Sequence, residues 1–125
     1  PLWLDEGIAE YFETPRGWNG LHVAHVKLLD AQARKGMWKP DLARLDKLAA
    51  IDQMTQRDYA EAWLWLHFLL QTTRERKLLL QHHLSILHEQ AQAPPFSQAI
   101  FAAEPDAAYA ALDHLRMLAA ENLVE

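Results

Sequence analysis

The fold is decided by residues 55–71, which read TQRDYAEAWLWLHFLLQ. Thr55 is followed three residues later by Asp58, and this pair resembles a capping box, although Glu or Gln is the usual partner. From residue 62 to residue 70 the apolar side chains leave no polar face, and only His67 interrupts them. Such a pattern is typical of a helix that is buried on nearly all sides. We therefore expect a central helix at 56–71.

The rest of the chain shows helical spacing of apolar residues and no convincing period-two alternation, so no β-sheet is predicted. Asp5 is the expected N-cap of the first helix. Further helices are expected at 21–35, 75–91 and 106–122, with a short helix after Pro40 and a short segment at 96–102. Gly36 is expected to end the second helix. The sequence thus predicts a single all-α domain over residues 1–125, a compact bundle of about five to six helices.

Composition narrows the classes of function. The chain has 125 residues, of which half are hydrophobic, and five tryptophans, which is typical of a globular domain. Its formal charge of −5 argues against a nucleic-acid partner, because binding phosphates needs a basic surface. The absence of cysteine excludes disulfides and thiolate metal ligands. The longest apolar run, 62–70, is far shorter than a bilayer requires, so no transmembrane segment is predicted.

Four residues are candidates for metal binding. Glu6 and Glu10 are four apart on the first predicted helix, so their carboxylates share a face. By spacing alone, a solvated acidic face is the ordinary interpretation. His22 and His25 are three apart, whereas zinc-binding helices place two histidines four apart with a glutamate between them. Surface or capping roles are therefore favoured for these histidines. Tyr59 by itself is interpreted as a packed aromatic residue whose hydroxyl finds a partner.

A resemblance to a known family changes the interpretation of the two glutamates. Residues 3–11, WLDEGIAEY, resemble the W-L-x-E-G-x-A-x-Y segment of gluzincin zinc metallopeptidases, which include aminopeptidase N relatives and peptidase MA-like bacterial proteins. The resemblance implies that Glu6 is the third zinc ligand. Glu10 matches the position where thermolysin-like members carry an Asp that hydrogen-bonds a zinc-bound His. Because Glu stands here, that supporting role is an expectation for Glu10.

A second segment supports the same family. Residues 59–69, YAEAWLWLHFL, are similar to a helix of the aminopeptidase relatives, whose Tyr donates a hydrogen bond to the oxyanion formed when the peptide carbonyl is attacked. The resemblance implies that Tyr59 has this catalytic role. The family's fold further implies that this chain is the helical C-terminal part of a catalytic domain.

The family's HExxH motif, which supplies two zinc ligands and the general base, occurs nowhere in the 125 residues. The expectation is a piece of a longer zinc peptidase that acts on peptides or proteins, with no metal on this chain alone and no activity by itself. Two alternatives remain open: a pseudoenzyme without the motif, and a helical interaction module. We also expect an exposed apolar groove beside Glu6, which a second copy of the chain would cover. The compartment stays open, with an exported bacterial protein among the alternatives.

Overall fold

The computed structural model describes residues 1–90 and 92–123, and over these residues the chain is all-α, as predicted. Seven α-helices and a 3-10 turn at Ile51–Gln53 follow one another in this part of the chain. The helices are α1 (Leu2–Phe12), α2 (Val23–Arg34), α3 (Leu42–Asp46), α4 (Gln56–Gln71), α5 (Arg74–Glu89), α6 (Phe96–Ala103) and α7 (Ala107–Asn122). None of the helices in the described residues is long and apolar enough to cross a membrane.

Helix α4 is the centre of the bundle, with the bounds that its sequence predicts. The Asp58 backbone N–H donates to the Thr55 hydroxyl (3.2 Å), and the Thr55 N–H donates to the Asp58 carboxylate (2.9 Å). This completes the predicted capping box with Asp in place of the usual Glu or Gln. Every residue from 60 to 69 is buried, because α1, α2, α5 and α7 all pack against α4.

A buried carboxylate on α4 holds the connector between α2 and α3. Glu61 accepts hydrogen bonds from the indole N–H groups of Trp38 (2.8 Å) and Trp65 (3.1 Å) and from the Asp41 backbone N–H (2.8 Å). Burial raises the pKa of this carboxyl, while the three donors act in the opposite direction. With these three donors the carboxylate is well satisfied, so its burial is explained by structure.

The prediction that Asp5 caps the first helix is wrong. The backbone N–H groups of Leu4 and Asp5 donate to the Pro1 carbonyl oxygen at 3.1 and 3.3 Å, so α1 begins at Leu2. Asp5 instead lies in the first turn, where a negative charge favours the positive end of the helix dipole. Asp5 therefore favours the start of α1 as a residue of its first turn and not as its N-cap.

Other helix ends differ slightly from the predictions. Helix α2 is shorter than 21–35, because His22 caps its start, and Gly36 follows its end with φ +68, as a glycine in this position should. Helix α5 ends at Glu89, and the predicted end at Ala91 lies outside the described residues. The short segment expected at 96–102 is a complete helix, α6, and with it the described residues contain seven α-helices.

Helices α1 and α4 approach each other unusually closely at Gly7. A Cβ atom at this position would lie 2.7 Å from both the Ala62 carbonyl oxygen and the Leu66 side chain. Further along α1, Tyr11 contacts the His67 ring (centroids 6.1 Å apart) and accepts a hydrogen bond from the Gln71 side chain. Residue numbers therefore increase in the same direction along both helices, so α1 and α4 pack side by side in a parallel arrangement.

Candidate functional site

One side of α1 is fully explained by packing. Trp3, Leu4, Gly7 and Tyr11 are all buried, and we call these four residues the packed side. The Trp3 indole N–H donates to Asp46 (2.6 Å), and its ring stacks on Phe96 at 6.2 Å between centroids. Burial against the rest of the bundle thus accounts for all four residues of the packed side.

Glu6 has no such reason. It is half-buried on α1, directly before Gly7. Within residues 1–90 and 92–123, no side-chain hydrogen bond or ion pair engages its carboxylate. Its carboxylate oxygens remain accessible to water, since they are not among the buried side-chain atoms without a partner in the described chain. The side chain is therefore available to a ligand.

Tyr59 lies in the first turn of α4 and is half-buried. It precedes Ala62 by three residues, and Ala62 is the residue whose carbonyl meets Gly7. Because α1 and α4 run in the same direction, Tyr59 falls a little over one helical turn from the level of Glu6. The same helix pair thus positions Glu6 and Tyr59, and a side-chain hydrogen bond to the Tyr59 hydroxyl is absent from the described residues.

Glu10 has a partner within this chain. Its carboxylate Oε2 lies 3.4 Å from Nε2 of His25, which is buried. The rings of His22 and His25 stack with centroids 3.5 Å apart. One ligand atom from each of Glu10, His22 and His25 lies within 4.8 Å of the other two, and we call this group the Glu10–His22–His25 cluster.

Sequence reasoning missed this cluster, because it compared the two histidines only with each other. His22 is the N-cap of α2 and lies outside the helix, so the spacing rule for two histidines on one helix does not apply to it. The third member comes from α1, on the other side of the 13–22 loop. The sequence does show two histidines close to an acidic helix. However, they meet Glu10 only because the loop between α1 and α2 folds back over α1.

The electrostatics of the cluster follow from burial. Desolvation first, and the neighbouring His22 second, lower the pKa of His25 from 6.5 to about 4. At neutral pH the ring is therefore uncharged, and its contact with Glu10 is not an ion pair. Nε2 of His25 is buried and has no hydrogen-bond partner, since its approach to Glu10 lacks hydrogen-bond geometry.

A second histidine pair lies deeper in the bundle. Nδ1 of His67 on α4 and Nε2 of His114 on α7 are 2.9 Å apart, and both residues are buried. Burial lowers the pKa of each ring to about 4, with a further contribution from His114 at His67 and from Arg76 at His114. The pair is thus a hydrogen bond between neutral imidazoles that joins two helices.

A third stripe of α1, which we call its outer side, is exposed. Its exposed residues are Asp5, Ala9 and Phe12, and Phe12 is the large apolar one at 71% exposure. These three residues mix charge, a small side chain and one aromatic ring, so the exposed surface is not uniformly apolar. Self-association through a groove beside Glu6 stays a prediction.

A family model described as "Protein of unknown function (DUF1570)" matches residues 1–97. The match includes α1, the Glu10–His22–His25 cluster and all of α4. No curated protein and no solved structure matches the chain.

Proposed function

The chain belongs to the DUF1570 family, and we propose that it is the helical part of a zinc-dependent metallopeptidase catalytic domain to which it contributes Glu6 as a zinc ligand. The observation that carries this proposal is the division of residues 3–11 into two groups. Packing accounts for Trp3, Leu4, Gly7 and Tyr11, and it leaves Glu6 without a structural role. Because no side-chain hydrogen bond or ion pair in the described chain engages its carboxylate, Glu6 is available as a metal ligand.

The position of Glu6 suits a metal ligand. A catalytic zinc site needs three protein ligands held at fixed geometry and one open position. The residue after Glu6, Gly7, lies tightly against the α4 backbone, so α1 cannot shift easily at this point. Zinc in such a site supplies Lewis acidity toward the scissile carbonyl and an activated water. The other two ligands and the general base must come from outside these 125 residues, because the chain has no HExxH motif.

Tyr59 would assist the same reaction. It is fixed on the central helix, one turn before the residue that meets Gly7. The Tyr59 hydroxyl could donate a hydrogen bond to the carbonyl oxygen of a peptide substrate as that oxygen gains negative charge. Stabilisation of this kind contributes to the rate and leaves metal binding unchanged.

Elemental analysis of the parent protein, purified with its segment upstream of Pro1, tests the proposal. We expect the Glu6→Gln variant to lack one equivalent of zinc relative to the unchanged protein. The matched control is Glu13→Gln, the same change at an exposed position just after α1, which should keep the full zinc content. Tyr59→Phe should keep its zinc and hydrolyse peptides more slowly.

Two results would overturn the proposal. One is a folded parent protein without zinc, which would indicate a pseudoenzyme or a helical interaction module. The other is a Glu6→Gln variant with as much zinc as the unchanged protein, which would remove Glu6 from the ligand set.

A further inference from the structure

We propose that Glu10, His22 and His25 bind a divalent transition-metal ion with the ligand preferences of zinc, at a site separate from Glu6. The ligand types are suitable, because zinc takes imidazole nitrogen and carboxylate oxygen. The three ligand atoms already lie within 4.8 Å of one another. This proposal does not depend on peptidase activity, on Glu6 or on any residue outside the chain.

The spacing of the Glu10 and His25 ligand atoms agrees with metal coordination. Zinc–ligand bonds of about 2.0–2.1 Å in a tetrahedral arrangement place neighbouring ligand atoms about 3.3 Å apart. Oε2 of Glu10 and Nε2 of His25 are 3.4 Å apart. A metal ion could therefore bridge these two atoms without a movement of either helix.

The unpartnered nitrogen of His25 is the second and independent observation. Buried polar atoms are nearly always paired, so an orphan requires an explanation. Nε2 of His25 faces the Glu10 carboxylate without a hydrogen bond, in a residue that is only 8% exposed. If Nε2 carries a lone pair, it faces the negative oxygen unfavourably, and a bound cation would turn the same contact into an attraction.

His22 contributes its ring at a cost. Its Nδ1 accepts a hydrogen bond from the His25 backbone N–H at 3.2 Å and so caps α2. A neutral imidazole has one lone pair for this purpose, so binding a metal through either ring nitrogen gives up the cap bond. Loss of a cap typically costs about 1 kcal/mol. The site therefore exchanges a helix cap for a metal bond.

The surroundings of the cluster hold its residues in place. The Trp63 ring lies 5.8 Å from the His25 ring and 6.2 Å from the His22 ring, between centroids. The same tryptophan donates its indole N–H to the Gly20 carbonyl at 2.8 Å, which fixes the chain just before His22. These contacts hold His25 and the chain before His22. The His22 ring itself is stacked 3.5 Å from the His25 ring and must turn before both can bind one ion, because a metal lies in the plane of the imidazole that binds it. Three protein ligands leave at least one coordination position for water.

The proposal gives Glu10 a different role from the one that the gluzincin resemblance implies. That resemblance makes Glu10 the acceptor of a hydrogen bond from an upstream zinc-bound histidine. In the described chain Glu10 instead contacts His25. The two roles use the same carboxylate, so an experiment on this chain alone separates them.

Titration of the 125-residue chain with Co²⁺, followed by its visible absorption and by competition with Zn²⁺, tests the site. We expect one equivalent of Co²⁺ to bind with the absorption of a tetrahedral complex, and Zn²⁺ to displace it. Glu10→Gln should weaken binding by at least about 10–100-fold, which is the loss typical of changes even in outer-shell partners. His22→Asn should do the same, and because Asn is a good N-cap it should preserve the start of α2.

The controls distinguish this proposal from the one about Glu6. Glu6→Gln should bind Co²⁺ like the unchanged chain, even though it should lose zinc in the parent protein. Circular dichroism checks that every variant is folded. A folded chain that binds no Co²⁺, or equal binding by Glu10→Gln and His22→Asn, would overturn the cluster as a metal site and leave the Glu6 proposal unaffected.

Discussion

The two sides of α1 differ in what determines their residues. On the packed side, α4 and its neighbours dictate each side chain, from the indole of Trp3 to the missing side chain of Gly7. The neighbouring stripe of α1 carries Glu6, which has no side-chain hydrogen bond or ion pair in the described chain, and Glu10, which contacts His25. Residues that packing accounts for and residues that it leaves unexplained can thus alternate within three turns of one helix. Separating the two groups identifies functional candidates without a bound ligand.

The largest expected effect comes from Gly7→Ala on the packed side. Alanine favours a helix over glycine by about 1 kcal/mol. However, its methyl group would lie 2.7 Å from the Ala62 carbonyl oxygen, which is backbone and cannot rotate away. We expect a net loss of about 2–3 kcal/mol in the free energy of unfolding, measured by urea denaturation.

The matched control for this change is Ala9→Gly on the exposed side of α1. It should cost about 1 kcal/mol through helix propensity alone. A Gly7→Ala variant as stable as the unchanged chain would show that the packed side is looser than described.

The second largest effect is expected from acid, which should lower the free energy of unfolding by protonating the buried histidines His67 and His114. His67 and His114 have pKa values lowered to about 4, while in the unfolded chain they titrate near 6.5. Between these values the unfolded state binds more protons, so the free energy of unfolding falls as the pH falls from 6.5 to 4. We expect a loss on the order of 2 kcal/mol, seen as a decreasing urea midpoint between pH 7 and pH 4.5.

Two variants sharpen this prediction. His114→Gln should reduce the pH dependence without abolishing it, because His25, whose pKa is also lowered to about 4, remains. His88→Gln, a change on the exposed surface of α5, should leave the pH dependence as it is. An equal slope in all three proteins would mean that other groups cause the acid sensitivity.

The smallest effect is expected from Glu6→Gln in the 125-residue chain. Because no described contact engages this carboxylate, the free energy of unfolding should change by no more than about 0.5 kcal/mol. Chemical denaturation at pH 7 measures it. A loss well above 1 kcal/mol would reveal a structural role for Glu6 and remove the main support for its role as a metal ligand.

The parts of the fold that could be predicted are those with local causes. Helix α4 has the predicted bounds because a capping pair and the absence of a polar face are written within its own residues. Gly36 ends α2 for an equally local reason, its positive φ. The start of α1 was misplaced because the acceptor that begins the helix is a backbone carbonyl, that of Pro1, which no side-chain signal reveals.

The candidate site was only partly accessible from sequence. The residues Glu6, Glu10 and Tyr59 were found through a resemblance, and their roles stay predictions. Glu10 meets His22 and His25 only because of the conformation of the loop between α1 and α2, and helical spacing contains no information about a loop conformation. The reason for Gly7 also required the structure, because a close contact between helices is not visible in one helix alone.

The loop between α1 and α2 has one further practical consequence. Its residues 15–19 are exposed, and a Cβ atom at Gly17 would meet nothing within 4 Å. Its far end is held at Gly20, where Trp63 binds the carbonyl and the Tyr11 ring leaves no room for a side chain. Additional sequence is best tolerated at such an exposed tip between fixed ends. A short epitope or fluorophore tag inserted at Gly17 would therefore give a handle for imaging and capture that leaves both helices in place.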